Sequence, residues 1–229
     1  MASCGFFGFV ITLLILVTSL AATIVAILTD HWYLVETEGV VSEIQKRENT
    51  YSFGLWRRCY DNQPPSLSPN GQLTNRGRDC MAIYKDLIPK SESNMTSDQE
   101  LVMNLSRSYI CLALGSAAAI LATIITLLCG AWPADCKQWR KVSLYACALA
   151  VQVVAILSSI ASGVCFIAAR DVETDDLHLY RGLDTEYGWS FMVHWVGAGL
   201  NVIAGFILIC MMRWTHEDVG VLDQNYYNM

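Results

Sequence analysis

Gly54-Leu55-Trp56-Arg57-Arg58-Cys59, with Cys80 downstream, lies in a long polar stretch between apolar segments, and its reading decides the fold. Cys59 and Cys80 are the only two of the chain's nine cysteines in that stretch. Leading into it, Thr50-Tyr51-Ser52-Phe53-Gly54-Leu55-Trp56 alternates partly between polar and large apolar residues, as a half-buried strand does. Gly39–Ile44 and Asp79–Ile83 are weaker strand candidates, while Pro64-Pro65 and Asn70-Gly71 signal turns. The expectation is a small antiparallel sheet pinned by a Cys59–Cys80 disulfide, with two free thiols as the alternative.

The rest of the chain is too apolar for an ordinary soluble domain. Of 229 residues, 54% are hydrophobic and only 16% are charged, and the mean hydropathy is +0.36. Spans are read at Phe6–Leu28, Tyr109–Cys129, Leu144–Ala169 and Phe191–Met212, each long enough to cross a hydrocarbon core. None has an ionisable Asp, Glu, Lys or Arg in its interior, which argues against a pump or coupled transporter. The first reads as an anchor rather than a signal peptide, because its apolar run is too long and no basic residue precedes it.

Lys and Arg in short connections mark the cytoplasmic side. Lys137, Arg140 and Lys141 lie between spans two and three, and Arg213 follows span four. Asp171, Glu173, Asp175, Asp176, Asp184 and Glu186 dominate the segment between spans three and four and read as a solvated face. Both termini are therefore expected in the cytoplasm. The single domain then comprises a first outer loop (29–108), an inner loop (130–143), a second outer loop (170–190) and an inner tail (213–229). Cys59 and Cys80 would face an oxidising compartment.

Other features sort onto this topology. Asn94-Met95-Thr96 and Asn104-Leu105-Ser106 are N-glycosylation sequons in the first outer loop, Asn94 being the better placed because Asn104 is close to the membrane. Cys4, Cys129, Cys136 and Cys210, near the cytoplasmic boundary, are candidates for palmitoylation. Cys111, Cys147 and Cys165 are expected only to pack, and no cysteine spacing resembles a metal site. Ser97-Asp98-Gln99-Glu100 matches a capping box, so span two is expected to extend outward as a helix. Tyr227 and Met229 suit one class of PDZ groove, although the tail reads first as disordered.

Within the spans, Gly197, Asn201 and Gly205 recur every four residues, and Gly115–Ala119 is a run of small residues. Such residues let helices approach closely, first of all within the chain's own bundle. Gln152 and His194 are isolated polar residues expected to find local partners. The sequence carries no P-loop, nucleophile elbow or metal-binding helix, so an enzyme is not expected, nor is a cofactor, a metal or a nucleic acid.

Trp32, then Gly54-Leu55-Trp56, Cys59 and Cys80 in the first outer loop of a four-span chain resembles the claudin, peripheral myelin protein and calcium channel gamma-subunit superfamily. The resemblance implies an all-α transmembrane four-helix bundle with a small extracellular antiparallel β-sheet. It implies that Trp32, Gly54, Leu55 and Trp56 seat the sheet at the membrane surface, and that Cys59–Cys80 is the signature disulfide. Interface anchoring by the tryptophans is the simpler alternative.

Twenty residues separate the two cysteines, more than in typical claudins, and the tail lacks the usual Tyr-Val end. Tyr187-Gly188-Trp189-Ser190-Phe191 is similar to the matching segment of gamma subunits and glutamate-receptor regulators. The expectation is a plasma-membrane auxiliary protein, in contact with lipid, whose partner is a channel or receptor. The alternative is a claudin-like junction protein binding its own kind. The first loop holds nine basic and ten acidic residues between Tyr33 and Arg107, so its charge predicts no ion selectivity. Disulfide and sequons are equally compatible with the endoplasmic reticulum.

Overall fold

The computed structural model describes residues 2–36, 51–60, 66–67, 73–74, 79–83, 96–131, 138–177 and 183–227. Four long helices carry the chain: α1 (Ala2–Leu28), α2 (Ser97–Ala131), α3 (Gln138–Asp175) and α4 (Trp189–Tyr227). All four contain stretches long and apolar enough to cross a membrane. Only 33–39% of each span's most apolar window is buried within the protein. Most of that apolar surface, including Val154, Leu157, Val196 and Phe206, therefore needs an apolar solvent.

Strands β1 (Tyr33–Glu36), β2 (Tyr51–Phe53), β3 (Arg57–Tyr60), β4 (Ser66–Leu67), β5 (Leu73–Thr74), β6 (Asp79–Ala82) and β7 (Asp184–Tyr187) form a five-stranded antiparallel sheet, ordered β6-β3-β2-β1-β7, and a separate β4-β5 pair. The segments expected at 50–56 and 79–83 supply β2 and β6. β1, β3 and β7 were not anticipated, and Gly39–Ile44, Pro64-Pro65 and Asn70-Gly71 lie outside the described residues.

The chain divides into two compact units. The helical unit comprises Met1–Ile24, Leu112–Ile160 and Trp195–Met229. Its core is aliphatic and small: Leu16, Ile120, Ile124, Leu127, Ala148, Ala155, Ala204 and Leu208. Small residues decide how closely the helices approach. Gly197 leaves room for Ala22 and Thr23, and Gly205 for Ile156. Two serines here bond to neighbouring backbone: Ser19 donates to the Gly197 carbonyl at 2.9 Å and Ser116 to that of Ala155 at 3.1 Å. Gln152 Nε2 donates to both the backbone and side-chain oxygens of Asn201, at 3.0 and 3.1 Å. The Gly197/Asn201/Gly205 row thus packs inside the chain's own bundle.

The sheet unit comprises Val25–Cys111 and Ala161–His194. Its helical segments carry the sheet's aromatic support, described below. Three sequence expectations need correction in these elements. The capping box is Thr96-Ser97-Asp98-Gln99, one residue earlier than read: Gln99 N–H donates to Thr96 Oγ1 at 3.4 Å and Thr96 N–H to Gln99 Oε1 at 3.3 Å. Because Ser97 is already helical, the residue before it takes the capping role. The tail is not irregular, since α4 runs unbroken to Tyr227 through a segment free of proline. Cys111 and Cys147, expected to pack, are exposed on their spans.

Candidate functional site

α1 ends at Leu28 with carbonyls that no further turn can satisfy. Trp32 folds back on them, and its indole N–H donates to the Ala26 carbonyl at 2.6 Å. The ring is fully buried against Phe166, Phe191 and His194, with centroids 5.0, 5.9 and 5.1 Å away. Tyr109 closes the cluster edge-on to Phe166 at 5.3 Å, and Ser162 donates to the Tyr109 carbonyl at 2.8 Å. Trp32 is therefore a core residue rather than an interface anchor. His194, expected from the sequence to find a local partner, packs on its ring.

The Gly-Leu-Trp run completes this seat by backbone contact. Trp32 N–H donates to the Phe53 carbonyl at 2.9 Å, opening the β1–β2 pairing. A side chain on Gly54 would strike the Asp30 backbone at 2.6 Å, so only glycine lets the α1–β1 turn pass over it. Leu55 is buried and Trp56 is partly exposed. Trp56 contributes its carbonyl, which accepts from Ile83 N–H at 2.8 Å beyond the end of β6.

β3 and β6 then place Cys59 directly opposite Cys80, and the two are joined as a disulfide. The buried Asp30 carboxylate lies beside these sulfurs, 3.5 Å from Arg57 Nε and 3.7 Å from His31 Nδ1. Asp30, Cys59 and Cys80 bring three donor atoms within 4.8 Å of one another. They are not a metal site, because disulfide sulfurs offer no thiolate.

Across the sheet, β7 pairs with β1, placing Tyr187 opposite Tyr33. Gly188 sits where any side chain would collide with the His31 carbonyl. Its N–H donates to the Trp32 carbonyl at 3.0 Å, and Ser190 N–H to that of His31 at 3.1 Å. Thr29 and Ser190 hydroxyls are 2.8 Å apart. The segment entering α4 is thus laced onto the same turn that Trp32 anchors. Trp189 remains 49% exposed, its ring 5.7 Å from His31.

A family model described as PMP-22/EMP/MP20/Claudin tight junction matches residues 17–210. The chain belongs to this family. Members of the PMP-22/EMP/MP20/claudin family are non-enzymatic membrane proteins, in keeping with a site made of packing and pairing rather than reactive groups.

In this claudin-family chain the sequence missed one constellation. Arg170, counted in the second outer loop, lies on α3 and is buried, with its guanidinium 2.6 Å from the Glu173 carboxylate and 4.3 Å from the Phe53 ring centroid. Glu173 is therefore not part of a solvated face, although Asp171, Asp175, Asp176, Asp184 and Glu186 are exposed. The i, i+3 spacing of Arg170 and Glu173 was the available signal. What the sequence hides is that the Phe53 ring, from β2, lies against the Arg170 guanidinium.

Asn104 is exposed on α2, while Ser106 of its sequon is buried. Cys129 and Cys210 are exposed, and Cys4 and Tyr227 fall in α1 and α4. Asn94, Cys136 and Met229 lie outside the described residues.

Proposed function

We propose that this claudin-family protein is an auxiliary subunit that binds a multi-span channel or receptor and biases its gating or trafficking. The observation carrying this reading is the Tyr187–Phe191 segment, similar in sequence to that of calcium channel gamma subunits and glutamate-receptor regulators. Here it holds an exposed Trp189 on a rigid strap beside the exposed acids Asp184 and Glu186. A fixed aromatic with a polar rim is the composition from which binding hot spots are built. Modulation requires tighter binding to one state of the partner than to another.

The protein works at the plasma membrane with both termini cytoplasmic, supported by the basic residues Lys137, Arg140, Lys141 and Arg213. Asn94 carries the outer glycan; Asn104 is the poorer acceptor. Acylation of Cys4, Cys129, Cys136 or Cys210 would strengthen membrane anchoring. A PDZ scaffold would take Tyr227 and Met229 by strand addition, after the last turn of α4 unwinds.

Purification of the tagged chain from native membranes in mild detergent tests the main reading. It is supported by a channel or receptor recovered in stoichiometric amount and lost on Trp189→Ala. Recovery of no such partner sinks it. The family description favours a second reading, a junction protein that limits paracellular flow. An epithelial layer whose electrical resistance falls on depletion, with the protein confined to cell contacts, would select that one.

A further inference from the structure

The helical unit holds an open apolar groove between α1 and α4. Phe7, Gly8 and Ile11 of α1 face Phe206, Cys210 and Trp214 of α4 across a space of about 340 Å³. Phe7, Phe206 and Trp214 stand at its rim, 69%, 64% and 53% exposed. Burying rings of this size would be favourable, yet among the described residues no side chain covers them.

Its place in the spans says what does. In the sequence the first apolar span opens at Phe6 and the fourth closes at Met212, just before Arg213, so the groove lies at the end of both spans nearest the chain termini. A groove there opens to lipid tails on one side and headgroups at its end. Arg213 is exposed at that level. It follows Phe206 by seven residues, two helical turns, which puts it beside Phe206 at the rim of the groove. Among the described residues no carboxylate is paired with it.

We propose that this groove binds one acyl chain of an anionic phospholipid, with the lipid phosphate held by the Arg213 guanidinium. A flexible hydrocarbon chain fills an irregular apolar channel, and a guanidinium matches the paired oxygens of a phosphodiester. A zwitterionic headgroup brings its own cation and competes for that phosphate, so an anionic lipid is preferred. The site is independent of which partner the sheet unit binds and of which membrane face the termini occupy.

Trp214 supplies the readout. The full chain is reconstituted in phosphatidylcholine vesicles containing dibrominated phosphatidylglycerol or dibrominated phosphatidylcholine, and fluorescence quenching is compared with that of Trp214→Phe. The Trp214 component should be half-quenched at about tenfold lower mole fraction of the anionic lipid, the scale of one charge-assisted contact. Arg213→Gln should bring the two curves together. Gly8→Leu should abolish the anionic preference by filling the groove: within 4 Å a Cβ there meets only Met211 side-chain atoms, at 3.6 Å.

Coincident curves in the parent chain overturn the proposal, as does a preference that survives Arg213→Gln. It is equally overturned if intact mass shows an acyl group on Cys210 whose removal by hydroxylamine is needed before any quencher enters.

Discussion

The two units solve the same packing problem with different chemistry. In the helical unit the helices meet through Gly197, Gly205 and Ala204, with serine hydroxyls and the Gln152–Asn201 amides as the polar ties. Lipid tails are as apolar as leucine, so burying a leucine there gains little, and close approach and hydrogen bonds hold the helices together. The sheet unit relies instead on the large rings of Trp32, Tyr109, Phe166 and Phe191, a buried ion pair and a disulfide. Aromatic burial and a cross-link suit a small sheet that has too few residues for a core of its own. Single truncations should therefore cost much more in the sheet unit than in the helical one.

The largest contrast is expected at Trp32. Trp32→Ala should destabilise the sheet unit by about 5 kcal/mol, the upper end for such truncations, because the Ala26 carbonyl loses its donor as well. Trp56→Ala, at a partly exposed ring, should cost well under half of that. Denaturation of the purified chain followed by near-ultraviolet circular dichroism compares the two, and equal losses would break the distinction between core and rim.

Arg170 comes next. Arg170→Met takes the guanidinium away from the buried Glu173 carboxylate, at a cost of about 3–4 kcal/mol, whereas Arg170→Met with Glu173→Leu should regain most of it. The same melts read this out. A double variant no better than the single would show that the guanidinium's contact with Phe53, rather than the ion pair, supplies the stability.

In the helical unit, Asn201→Leu removes the amide pair. The expected loss is about 1 kcal/mol, since interhelical hydrogen bonds in membranes are individually weak. A loss as large as that at Trp32 would erase the comparison between the units.

The smallest effect belongs to Tyr187, whose phenol is pushed above its ordinary pKa by burial, with Asp171 and Tyr33 adding to the shift and Arg170 opposing it. A raised folded-state pKa favours the neutral phenol. The stability it contributes is intact below pH about 10 and falls as pH rises through the folded value. Tyr187→Phe should flatten the alkaline decline in melting temperature, and an unchanged slope would remove Tyr187 from the sheet's pH response.

The motif residues show how far sequence reading reached. Cys59 and Cys80 were legible as a pair because they alone of the nine cysteines sit in the long first outer loop. β2 was visible because Tyr51–Phe53 alternates in burial-prone residues. β7 was not, since Asp184-Thr185-Glu186-Tyr187 is mostly exposed and carries no apolar period. Trp32 was legible as part of the sheet's seat, with interface anchoring as the alternative. A tryptophan just past a span suits the membrane interface and a protein core equally, and only the folding back of the turn after α1 chooses between them.

The sequence by itself determined the four spans and the disulfide-bearing sheet, because hydropathy over twenty residues and a pair of isolated cysteines are local properties. Tertiary structure alone decided which polar and aromatic groups meet. The burial of Arg170 with Glu173 against Phe53, the lacing of Gly188 and Ser190 to His31, and the groove between Phe7 and Phe206 each join residues far apart in the chain, whose proximity no local pattern encodes.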